Sequence, residues 1–112
     1  MLSAPHRLRR QADIEATWKK GRRVRTAVAV AAIRLTTPGV PARVTVIVGK
    51  RVSPLAVRRH RLQRLWRQLV REIITDHPYG YDMVITATPA AARIRTLDEA
   101  RGASASIFNH LP

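Results

Sequence analysis

Arg58, Arg59, Arg61, Arg64, Arg67 and Arg71, with His60 among them, share one stretch of chain with Leu62, Leu65, Trp66, Leu69, Val70 and Ile73. Wound at about 3.6 residues per turn, the apolar side chains gather on one side of a helix. His60, Arg61, Arg64, Arg67, Gln68 and Arg71 gather on the other side. Arg59 falls on the margin, and Arg58 falls nominally on the apolar side, so local geometry must turn it outward. A guanidinium group is a planar fork that grips phosphate with two hydrogen bonds and stacks on bases. An ordinary solvated helix face mixes acids with bases and gains from their i,i+4 pairing. This face has no carboxylate before Glu72, and Arg61–Arg64, Arg64–Arg67 and Arg67–Arg71 are mutually repelling neighbours. That arrangement points to a bound polyanion, with nucleic acid the leading class. Six such cations on phosphates predict a log–log salt slope of about −5 on a duplex-like partner and about −4 on a single strand. The spacing does not distinguish RNA from DNA.

Other chemistries fit poorly. A metal-dependent nuclease needs several carboxylates converging on Mg2+. The acids are Asp13, Glu15, Glu72, Asp76, Asp82, Asp98 and Glu99. Asp13 and Glu15 diverge on a helix, Glu72 and Asp76 straddle a helix end, and Asp98 and Glu99 suit the first turn of a short helix. His6, His60, His77 and His110 have no paired spacing. Without cysteine there is no thiol nucleophile and no disulfide. No Gly-rich phosphate loop or nucleophile elbow is present. Among the aromatics, Trp66 belongs to the apolar helix face and reads as packing. Trp18 precedes Lys19, Lys20, Arg22 and Arg23, and either stacks on a base or packs in the core.

Positioning these residues requires a small α+β domain. Residues 7–20 read as a helix stopped by Gly21. Val24–Leu35 alternates like one strand, Thr36–Ala42 is a loop with Pro38, Gly39 and Pro41, and Arg43–Val48 suits a central strand buried on both sides. Ser53 as N-cap and Pro54 at the first helical position open a helix that runs to about Thr75. Met83–Ala87 is another strand, and Thr96–Glu99 is a capping box for a last short helix. The order is α-β-β-α-β-α, with helices against a small sheet.

The 112 residues make one domain, residues 1–112. Lys and Arg total 21 against 7 acids, a formal net charge of +14. Such a charge repels itself and implies an anionic partner. No segment approaches the about 20 apolar residues of a membrane crossing, and no basic helix carries bulky apolar residues for surface insertion. The sequence predicts no membrane association, no secretory signal and a cytoplasmic setting.

Residues 46–68, VIVGKRVSPLAVRRHRLQRLWRQ, resemble the signature of the bacterial ribonuclease P protein component. In that family a strand leads to a basic pair, then to a helix opening with Arg-Asn-Arg and followed by further basic positions. Residues 6–23, HRLRRQADIEATWKKGRR, resemble the family's first helix and the basic turn after it. Tyr81–Ile85 with Pro89 resembles its late strand.

The resemblance implies a sheet of about four strands with helices packed on it and a left-handed βαβ crossover, as in the second domain of a small-subunit ribosomal protein. It implies a subunit that joins a catalytic RNA, one protein per RNA, in a holoenzyme that removes the 5′ leader of precursor tRNA. The RNA, with Mg2+, does the cleavage, and the chain itself carries no catalytic residue and binds no cofactor alone. Carried over by position, the RNA-binding residues are Arg59, His60, Arg61, Arg64, Arg67, Lys50 and Arg51; Arg71 on the same helix face and Arg22 and Arg23 in the basic turn complete the expected set. Ile14, Trp18 and Lys50 would face the leader, held in a groove between the Arg-rich helix and the sheet face. His60 stands where the family has Asn, and Ile14 stands where it has an aromatic. The alternative function is a ribosomal-type structural RNA-binding protein without a role in tRNA processing.

Overall fold

Residues 2–112 are described by a computed structural model. The segment read as one strand is two. Thr26 turns the chain: its Oγ1 accepts from the backbone N–H groups of Val28 and Ala29 at 3.3 and 3.0 Å, and its own N–H donates to the Ala29 carbonyl at 2.8 Å. A hydroxyl that satisfies two backbone donors makes a tight turn inside an otherwise alternating run. Strand β1 (Arg22–Arg25) therefore pairs antiparallel with β2 (Ala29–Leu35).

Strands β3 (Arg43–Ile47) and β4 (Tyr81–Ala87) complete a four-stranded sheet of order β1-β2-β4-β3. β4 pairs antiparallel with β2 and parallel with β3. Arg43–Val48, expected at the centre of the sheet, lies instead at its edge. The two central strands, β2 and β4, are the ones buried along nearly their whole length. The rim of β3 is covered by the N-terminal segment, which explains its apolar composition. Arg7 bridges to Val44, the Leu8 N–H donates to the Val44 carbonyl at 3.2 Å, and His6 Nδ1 lies 2.6 Å from the Ala42 carbonyl.

Helix α2 (Ala56–Asp76) connects β3 to β4. It begins two residues later than Ser53 and Pro54 suggest, with Leu55 at its N-cap. Ser53 is used just before the helix, where its Oγ accepts from the Leu55 N–H at 3.2 Å. Leu62, Trp66, Leu69, Val70 and Ile73 of α2 are buried with Ala31 and Ile33 of β2, Val44 of β3 and Met83 and Ile85 of β4 in one core. Trp66 has no exposed surface, as its place on the apolar face predicts.

The alternate positions of the strands face the other way, toward helix α1 (Gln11–Lys20). This helix starts later than residue 7, and Leu8, outside it, is buried against the sheet. Gly21 ends α1 in ordinary extended backbone, φ −74°, so no left-handed conformation calls for it. Proximity does: a Cβ there would lie 2.5 Å from the Thr17 carbonyl oxygen and 3.0 Å from the Ile33 backbone. Helix α3 (Leu97–Ala103) is capped as expected, with Thr96 Oγ1 accepting from the Glu99 N–H at 3.2 Å, and α4 (Ala105–Phe108) follows directly. Among the described residues no helix is long and apolar enough to cross a membrane.

Candidate nucleic-acid interface

The apolar half of α2 is committed to the core, so its other half must face solvent. Arg58, His60, Arg61, Arg64, Arg67 and Arg71 are all exposed. Among the described residues, Arg61, Arg64 and Arg67 make no hydrogen bond and no ion pair. The carboxylates are drawn elsewhere. Arg43 takes Asp82 and Asp13, and Arg101 takes Glu72 and Asp98. Glu72, the first acid after the arginine run, is thereby turned toward α3. The Arg101 hydrogen bond holds its carboxyl below the usual carboxylate range.

Arg59 departs from this face. Its Nη1 donates to the carbonyls of Ser53 and Pro54 at 3.0 and 2.9 Å, so its head folds back over the start of the helix. Arg58 turns outward, as it must. With Arg61, Ser53 and Arg95 it lines a small polar concavity. Arg95 is brought there by the chain after β4, a juxtaposition no local sequence pattern signals. Lys50 and Arg51 stand exposed in a turn closed by the Val52 N–H on the Gly49 carbonyl at 3.1 Å.

On the opposite face of the sheet, α1 and the strands form a groove. Its wall is Gln11, Ile14, Glu15, Trp18 and Lys19, and its floor is Ile47, Val84 and Thr86. The groove therefore lies beside α1, not beside the Arg-rich helix, because α2 occupies the core face. Ile14 and Trp18 meet there, both half-buried. Lys50 is not among the lining residues; it lies three positions beyond Ile47, past the end of β3. The floor residues were missed in the sequence. Alternation along β3 and β4 could have shown them only once the pairing was known. Arg23, placed with the phosphate-binding cations, lays its guanidinium over the Trp18 ring, 4.4 Å from the centroid. Arg22 is exposed on the same strand.

The arrangement can grip phosphate on one side and hold an unstacked, extended strand on the other. Among the described residues, no three His, Asp or Glu side chains come together as metal ligands.

Comparisons with known proteins agree on what this chain is similar to. A family model described as Ribonuclease P matches residues 2–109. The ribonuclease P protein component of Rhodococcus opacus is 39% identical over 105 residues, spanning 88% of this chain and 82% of that one. That of Kocuria rhizophila is 38% identical over 92 residues, spanning 82% of this chain and 80% of that one. Among solved structures, the RNase P protein of Thermotoga maritima superposes with a TM-score of 0.78 at 22% identity, covering 95% of this chain and 97% of that one. The RNase P protein of Staphylococcus aureus gives 0.74 at 20% identity, with 93% of each chain covered.

Proposed function

The chain belongs to the ribonuclease P protein family, and on that premise we propose that it docks on the catalytic RNA through the outer face of α2 and holds the 5′ leader of precursor tRNA in the groove beside α1. Family membership places it in a tRNA-processing ribonucleoprotein. The observation that carries the finer reading is the row Arg61, Arg64 and Arg67, exposed and without a carboxylate partner among the described residues. Phosphates would replace the missing counter-charges and relieve the repulsion within the row. The groove is apolar enough to receive bases, and Trp18 supplies a stacking surface.

The cleavage centre belongs to the RNA subunit in this reading. Mg2+ demands several oxygen ligands in octahedral geometry, and the chain's carboxylates do not provide them: Asp13, Asp82, Glu72 and Asp98 are each held by an arginine. Among the described residues no three His, Asp or Glu side chains come together, so this reading assigns the ion to the holoenzyme. One copy per RNA, in the cytoplasm, completes the proposal.

The test is reconstitution. The protein is added to a bacterial ribonuclease P RNA at low Mg2+ with a precursor tRNA. A gain in correct 5′ cleavage over RNA alone is expected. No gain overturns the proposal.

A further inference from the structure

Arg23 makes two contacts with one residue. Its guanidinium carbon stands 4.4 Å from the centroid of the Trp18 ring, and its Nη2 donates to the Trp18 carbonyl at 3.2 Å. The sheet register places Arg23 relative to the groove floor. Arg23 pairs with Ala32, Ala32 with Val84, and Val84 with Thr45, so one row of side chains crosses the α1 face of the sheet from β1 to β3. Val84 lies in the groove floor, while Arg23 stands at the far end of the row and does not line the groove. Ala32 between them has no exposed surface. The indole thus belongs to both features: it lines the groove and carries the Arg23 guanidinium over its ring.

We propose that Arg23 is a positioning residue for leader recognition: it backs the Trp18 indole and holds it against the groove, so that the ring offers a single face to one nucleobase. This rests on the reading of the groove as the leader site. A half-exposed tryptophan that is already ordered loses less side-chain freedom when a base stacks on it, and that saving appears as affinity. The hold needs a flat cation with donors on its rim, one surface for the ring and one N–H for the carbonyl. A lysine ammonium has donors but no flat face to lie along the ring, so it holds the indole less firmly. A phosphate contact, by contrast, needs only the charge, which makes lysine the discriminating substitution.

The experiment uses reconstituted holoenzyme with Arg23→Lys, Arg23→Gln, Trp18→Ala and the double variant Arg23→Gln/Trp18→Ala. Affinity is measured for precursor tRNAs carrying a single-nucleotide leader or a long single-stranded one. Both Arg23 variants should lower the preference for the long leader about two- to fivefold. The glutamine change should cost no further preference once Trp18 is alanine. In the free protein, acrylamide quenching of tryptophan emission should rise in both Arg23 variants, with the fully buried Trp66 contributing a constant background. Restoration of the preference by lysine alone, an unchanged preference, or an equal loss in the Trp18→Ala background overturns the proposal. A silent Trp18→Ala brings down the groove reading and this proposal together. A leader-dependent Trp18→Ala with silent Arg23 variants overturns only the role of Arg23.

Discussion

Arg43 holds Asp82 with two parallel hydrogen bonds, 2.9 Å from Nε and 2.7 Å from Nη2, across the neighbouring strands β3 and β4. Asp82 is 3% exposed, and the guanidinium meets both of its carboxylate oxygens. Nη1 of the same guanidinium reaches Asp13 of α1 at 3.4 Å, which ties the groove's helical wall to its floor. Arg43→Ala should cost about 2–4 kcal/mol, because it strands a buried carboxylate. Asp82→Asn should cost less, since the amide keeps an acceptor. Urea melts of the two variants check the order.

Arg61→Ala, Arg64→Ala and Arg67→Ala together should flatten the salt slope of RNA binding by about one unit per lost contact, up to about 3. The fold should hold, since these exposed side chains make no hydrogen bond or ion pair among the described residues and alanine relieves like-charge crowding. Affinity measured across a salt series gives the slope. An unchanged slope places the interface elsewhere.

Trp18→Ala should weaken binding of a leader-bearing precursor by about 1–3 kcal/mol, the value of one base on one aromatic face. Its thermal transition should remain cooperative, because the side chain is only half-buried. A collapsed transition would assign the ring to packing.

Gly21→Ala should destabilise by about 1–3 kcal/mol, the cost of forcing apart a close approach. Its added methyl meets the Thr17 carbonyl and the Ile33 backbone, and neither can swing away. The backbone angle itself suits alanine, so the loss isolates the contact between α1 and β2. Thermal denaturation measures it.

The Glu72–Arg101 contact links stability to pH. Because the Arg101 hydrogen bond lowers the folded carboxyl below its ordinary value, the contact stabilises fully above the unfolded carboxylate range, about 4.3. That stabilisation is lost as pH falls through the lowered folded value. Glu72→Gln should therefore flatten the acid limb of the stability profile and leave its neutral limb parallel to the parent's. Denaturant midpoints collected from neutral to acid pH show the difference.

The helix that carries the arginines could be read from the sequence because its two faces differ at every turn. Burial of Trp66 and exposure of Arg61, Arg64 and Arg67 both follow from that one periodicity. The capping of α3 by Thr96 was equally local. The hairpin at Thr26 was hidden, since a strand and a tight hairpin show the same alternation unless Gly or Asn marks the turn, and here a threonine hydroxyl does the work. The edge position of β3 was hidden because its cover comes from His6, Arg7 and Leu8, far away in the chain. The groove needed the pairing of β3 with β4 before Ile47, Val84 and Thr86 could be seen to share a floor. Arg59 and Arg23 looked like free cations because nothing in the spacing shows a guanidinium folding onto a carbonyl or a ring.

Strand β1 forms one rim of the sheet and carries Arg22, Arg23 and Arg25 on exposed positions. An unpaired strand rim is a template for aggregation, and fibre-like stacking would bring a second copy's rim to about 4.8 Å. At that spacing the two arginine sets would confront each other, so the positive charge that suits the chain to a polyanion also opposes its self-polymerisation.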